Sequence, residues 1–198
     1  MIDRRRFLQV GSAGVLATAV GGTSSFLEPA STASFRPHVA MVDTRFPESV
    51  RFGAELSRNG VALHETRGDV TALWYVHLHP LWKQRPAAIA GLSGYGPMFC
   101  LERLAWDHGM RMIFRGEHRP LPHNAVEHRL AAVPARNAVL APLAHDWPKD
   151  LAARVLALDP SLPTSGLAEQ RSITAARSAK RTTNETLYSW VIAPRASA

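Results

Sequence analysis

The chain predicts a single three-layer α/β domain with a mainly parallel sheet, preceded by an N-terminal export segment. Three observations lead there. Short apolar runs of strand length alternate with helix-length amphipathic stretches between residues 39 and 114. Prolines and glycines punctuate them where helices begin and end. About 165 residues remain once the first 33 are set aside, the length of one ordinary domain.

Val39 to Val42, closed by Asp43, reads as a buried strand. Pro47 opens a helix that stops at Asn59-Gly60, and Val61 to Thr66 is a second strand. Gly68-Asp69 supplies a turn and a helix cap before Val70-Thr71-Ala72-Leu73-Trp74, a segment closed by Pro80 and Pro86. Ala87 to Gly91 is the third strand. A glycine-rich turn follows, then a helix from Pro97 to Gly109 with Met98, Leu101, Leu104 and Ala105 on one side. Met110 to Phe114 is the fourth strand. Parallel neighbours need crossovers, so this order implies right-handed strand–helix–strand units, similar to the Rossmann type. Beyond Gly116 the pattern weakens. Ala138 to Ala141 reads as a fifth strand and Asp146-Trp147-Pro148 as the start of a helix to Leu158, which completes a domain over 34–160. Residues 161–185, rich in Ser, Thr, Ala and Arg, read as a flexible loop or arm. The alternating stretch from Thr186 to Ile192 reads as a late edge strand within a C-terminal tail, 186–198.

The start of the chain has its own logic. Positive charge at Arg4, Arg5 and Arg6 precedes a short apolar run from Val10 to Gly22 and small residues up to Ala33. That is the anatomy of a signal peptide, too short and glycine-rich to span a membrane permanently. The paired arginines before Phe7-Leu8 resemble the twin-arginine (Tat) signal of exported bacterial proteins, Ser/Thr-Arg-Arg-x-Phe-Leu-Lys. Arg4, Arg5, Phe7 and Leu8 match it, while Asp3 and Gln9 depart from it. The resemblance covers residues 1–33. It implies recognition by the Tat translocon, a periplasmic or secreted destination, and folding, with any cofactor or larger co-exported partner acquired, before transport.

Cys100 is the single cysteine, which excludes an intramolecular disulfide, a Cys-x-x-Cys-His haem site and cysteine-rich metal clusters. Its place on the apolar side of a helix predicts a buried, inert thiol. The formal charge of +7 reads first as an arginine-rich solvated surface; as a mark of a partner it favours an anionic membrane or an acidic protein. No nucleic-acid motif accompanies it, so nucleic acid is not expected.

In open parallel sheets ligands gather at the carboxyl ends of strands. Here that rim carries Asp43 and Arg45, His64 and Glu65, the turn Gly91-Leu92-Ser93-Gly94-Tyr95-Gly96, and Glu117 with His118, joined by His145 and Asp146. Three readings of the turn stand open. Gly91, Gly94 and Gly96 with the Ser93 hydroxyl form an anion or cofactor cradle, with Asp43 beside it, although the spacing departs from the dinucleotide fingerprint. Ser93 is a hydrolytic nucleophile with Asp107 and His118 as partners, although Tyr95 stands where a nucleophile elbow has its second glycine. Or the glycines only let strand and helix pack closely. His77 and His79 share a face on a strand and diverge on a helix. Trp74-Tyr75-Val76 favours strand locally, whereas the crossover and the Asp69 cap favour helix, so no metal site is expected. Trp74, Trp82 and Trp106 are expected in core or interface packing.

These readings predict an exported accessory or ligand-binding subunit of a redox or catabolic system. A small serine hydrolase using Ser93 and a nicotinamide- or flavin-binding oxidoreductase are the alternatives. The cofactor, if any, is not specified by the residues.

Overall fold

The computed structural model describes residues 35–132, 137–159, 168–175 and 184–194, all within one compact unit, Ala33–Ala198. The expected signal segment with Arg4, Arg5, Phe7 and Leu8 lies outside the described residues.

The first half follows the alternating pattern. Strand β1 (Val39–Asp43) is buried almost throughout and leads into α1 (Pro47–Arg58), with Pro47 at the helix start. Phe52, Gly53 and Leu56 on α1 are buried at helical spacing. A Cβ on Gly53 would overlap Val42, so glycine lets α1 lie directly on β1. Gly60, with φ of +80°, turns the chain into β2 (Ala62–Thr66). Asp69 accepts the Thr71 N–H at 2.8 Å and starts the crossover. That crossover is a π-helical segment, Leu73–Leu78, running on into α2 (His79–Gln84). Strand β3 (Ile89–Ser93) then leads into α3 (Tyr95–Trp106), and Gly109 at φ +68° releases the chain from α3.

The sheet departs from the expectation in its second half. Among the described residues its seven strands run β2-β1-β3-β7-β4-β5-β6, where β4 is Met110–Leu121, β5 Ala125–Ala132, β6 Ala168–Ala175 and β7 Leu187–Pro194. Only β1–β2 and β1–β3 are parallel among the described pairings; β3–β7, β7–β4, β4–β5 and β5–β6 are antiparallel. The sheet is therefore mixed, and the mainly parallel Rossmann-like order is corrected. The physical reason is the β4–β5 hairpin. His123 and Asn124 both adopt left-handed backbone, φ 58° and 60°, which a tight hairpin turn requires. Met110 to Phe114 thus continues through Leu121 and folds back, with no helix between the strands.

Three further expectations fall with it. The 186–192 stretch is no edge strand: β7 sits between β3 and β4, and Leu187 and Ser189–Ala193 are all buried. Part of the 161–185 "arm" is β6, paired along the whole of β5, so the α/β unit extends well beyond residue 160. Ala138 to Ala141 is no strand either; Asn137–Leu140 is a helical turn, α4, ahead of α5 (Trp147–Leu156).

Side chains alternate across the sheet and feed two apolar clusters. Ala40, Leu92, Phe114 and Val191 join Phe52 and Leu56 of α1 and Leu151 and Val155 of α5. Met41, Ile89, Met110 and Trp190 join Leu78, Trp82 and, on α3, Met98 and Leu101.

Candidate ligand-binding site

The rim at the ends of β1 and β3 is already filled by the protein's own contacts. The Asp43 carboxylate, fully buried, accepts two bonds from the Arg45 guanidinium, at 2.9 Å and 2.6 Å. That bond holds the guanidinium above its usual range. Ser49 on α1 donates to the Leu92 carbonyl at 2.5 Å and accepts the Asp43 N–H at 2.9 Å, tying α1 to both strands. Gly94 begins α3, and a Cβ there would lie 2.7 Å from a Glu185 carboxylate oxygen. A negative charge therefore already stands at the helix start that a phosphate would need, and the cradle formed by Gly91, Ser93, Gly94 and Gly96 is not an open anion site. A Cβ on Gly91 would overlap the indole of Trp190, whereas one on Gly96 would meet nothing within 4 Å. The glycine turn is a packing feature at Gly91.

Ser93, His118 and Asp107 do not assemble. Ser93 donates its hydroxyl to the Gly94 carbonyl at 2.9 Å and receives the Trp190 indole N–H at 3.3 Å. His118 instead bonds Ser189 at 2.8 Å. Trp190 and Ser189 are consecutive on β7 and point to opposite faces, so Ser93 and His118 do too. Asp107 closes α3 at its far end, about 18 Å along the helix.

His118 belongs to a cluster absent from the sequence reading. Its Nδ1 lies 2.7 Å from Nδ1 of His128, its Nε2 meets Ser189, and Trp147 stacks on its ring at 4.4 Å. His118, His128 and Ser189 are all buried. Burial lowers both imidazoles, His118 well below its usual range and His128 to about 4. One Nδ1 must donate to the other. His128 Nε2 has no partner among the described residues, and a stranded buried N–H costs more than a stranded lone pair. The favoured arrangement therefore has His128 donating to His118 and His118 donating to Ser189. Ser189 is then an acceptor, the reverse of what an activated nucleophile needs. The signal was the placement of two histidines either side of Pro122-His123-Asn124, which a hairpin makes directly opposite.

An open cavity lies elsewhere, between the start of β1, the edge strand β2 and the π-helical crossover. It measures about 440 Å³ and is walled by Val39, Leu63, Leu73, Val76 and Leu81. That is the size range and character of a small-molecule pocket. His64 from β2 and His77 from the crossover meet inside it edge-to-face, 4.9 Å between ring centres. Partial burial, then the neighbouring His77, lowers His64, so a neutral imidazole faces the cavity at pH 7. Of the expected rim residues, only His64 reaches this cavity.

The helical crossover separates His77 from His79. His79 turns the other way and packs with Trp74 and His108, at 5.3 Å and 5.8 Å. Trp74 and Trp82 are buried and Trp106 is 46% exposed; Cys100 is exposed too, which corrects the expectation of a hidden thiol. No group of three or more potential metal ligands occurs among the described residues, and no described helix is long and apolar enough to cross a membrane. No protein-family model matches the chain, and no curated protein or solved structure does.

Proposed function

We propose that this chain is an exported ligand-binding or accessory subunit of a periplasmic redox or catabolic system, delivered already folded through the Tat pathway. In this reading the domain is a three-layer scaffold. Its cleft takes a small, largely apolar molecule bearing one hydrogen-bonding end, such as a carbonyl or hydroxyl. The cleft itself carries the reading: about 440 Å³ of space, apolar walls, and two imidazoles in contact at one side. An apolar body gains from leaving water, and the His64–His77 pair fixes its polar end. Neither hydrolytic nor dinucleotide chemistry has comparable support, because Ser93 is turned from His118 and Glu185 stands at the start of α3.

Two outcomes are expected. Native mass spectrometry of protein recovered from the periplasm finds a small molecule bound, and the same cleft takes up 1-anilinonaphthalene-8-sulfonate with a rise in fluorescence. Val76→Glu sets a carboxylate at the mouth of the cleft; Val76 is 64% exposed, so the fold is kept, and repulsion of the dye's sulfonate together with a charge on an apolar wall lowers dye binding about tenfold. Unchanged dye binding in Val76→Glu removes the cleft from the reading. Separately, Arg4→Lys with Arg5→Lys leaves the protein on the cytoplasmic side in cell fractionation, since the resemblance rests on that pair. Normal export of this variant removes the Tat assignment.

A further inference from the structure

Helix α3 presents a face that the cleft does not use. Tyr95 and Phe99 stack on each other at 5.6 Å, and Tyr188 of β7 meets Tyr95 edge-on at 5.5 Å. The Arg103 guanidinium lies over the ring of Trp106 at 3.5 Å and reaches that of Phe99 at 5.5 Å. From β4, Arg111 approaches Trp106 at 5.9 Å and Arg115 approaches Tyr188 at 5.7 Å. Aromatic rings and guanidinium groups therefore alternate in one continuous plate across α3, β7 and β4. It is open: Tyr95, Phe99 and Trp106 are 51%, 42% and 46% exposed, and Arg103, Arg111 and Arg115 are exposed as well. The acids beside it are Glu102, drawn to Arg103 at 3.6 Å, with Asp107 and Glu117 at its borders.

We infer that this plate is a docking surface for an anionic phospholipid bilayer. Three arginines at its level match negative headgroups, in a chain of net charge +7. Tyrosine and tryptophan rings, apolar in body and polar at one end, suit the boundary between headgroup and acyl chain. Trp106 already carries the Arg103 guanidinium over its ring, and Tyr95 and Phe99 cover part of each other. A single-stranded nucleic acid needs bare faces for its bases, and a protein partner's pocket needs a protruding knob; a soft, flat, negative surface needs neither. The contact would hold the protein at a membrane surface without a span.

Tryptophan fluorescence reads this site alone. Of the five tryptophans, Trp74, Trp82, Trp147 and Trp190 are at most 7% exposed, so a change on binding reports Trp106. The full chain is mixed with phosphatidylglycerol–phosphatidylcholine vesicles and with pure phosphatidylcholine vesicles. Co-sedimentation with the first set, a blue shift of emission, and loss of that shift in Trp106→Ser are expected. Arg111→Gln and Arg115→Gln each lower the partition about fivefold. No sedimentation overturns the proposal, as does equal binding to neutral vesicles. Sedimentation with Trp106 emission unmoved assigns the membrane contact to another part of the chain and also overturns it. So does a blue shift brought on by concentrating the protein alone, by poly-glutamate or by a single-stranded oligonucleotide when vesicles produce none. These outcomes leave the cleft untouched, since its test reads a different face.

Discussion

Gly91→Ala lowers the free energy of unfolding by about 3 kcal/mol, read as a fall in the urea midpoint with an unchanged slope. The new methyl group would coincide with the indole of Trp190, the largest fully buried side chain of the core. Neither partner can yield cheaply. Gly91 sits in mid-strand, paired with Met41 on one side and Trp190 on the other. The Trp190 indole N–H is committed to Ser93, and its ring packs in the cluster that includes Ile89 and Met98. Displacing it breaks a buried hydrogen bond and opens space elsewhere in the core. Near-ultraviolet circular dichroism loses part of its tryptophan signal with the stability. Gly96→Ala is the control, because a Cβ there meets nothing and lies in the first turn of α3, where alanine is the better helix former. If both variants lose the same stability, close packing is not the reason for Gly91, and the turn must be reconsidered as a site.

How far the fold was legible follows from which forces act locally. Pro47, Asn59-Gly60, Asp69 and Gly109 are local signals, and each marks a boundary where the structure has one. Strand direction beyond Gly116 was not legible, because the decision rests on two residues with positive φ, His123 and Asn124, neither of them glycine. Once that turn forms, β4 and β5 pair antiparallel and carry β6 outward. The place beside β3 then falls to β7, whose apolar stretch from Trp190 to Ala193 has both faces buried. Within the stretch expected to be a flexible arm, residues 168–175 hold their place by backbone pairing to β5, which composition does not reveal. The candidate site was legible only in its parts. His64 and His77 are thirteen residues apart, on elements whose helical or extended nature was open, and their meeting depends on the crossover returning over the edge strand. His128 and Ser189 drew no notice because neither belongs to a motif. Only the hairpin register and the central place of β7 bring them to His118.

Acid destabilises the protein before its carboxylates titrate. In the unfolded chain His118 and His128 take up protons near pH 6.5. In the folded chain burial lowers both, His128 to about 4, so between these values the unfolded state binds more protons. Stability is therefore full above pH 6.5 and falls as the pH drops toward 4. For His128 the shift from 6.5 to about 4 corresponds to on the order of 3 kcal/mol over the whole window. The two sites do not contribute independently, because Nδ1 faces Nδ1 at 2.7 Å and two imidazolium rings would set proton against proton there. The guanidinium of Arg154, whose charge also lowers His128, opposes the added charge, while Glu48 and Glu185 line a small hollow shared with His118. Urea midpoints measured from pH 7.5 to 5 leave out the carboxylates, which titrate nearer 4, and comparison with His128→Gln separates the buried pair from His64, which is lowered too. The midpoint falls progressively below pH 6.5, and in His128→Gln the slope flattens by at least half even if the variant starts from lower stability. A wild-type midpoint that stays level down to pH 5 would mean that the buried pair accepts a proton readily, and that water or an acid reaches His128 in the folded protein.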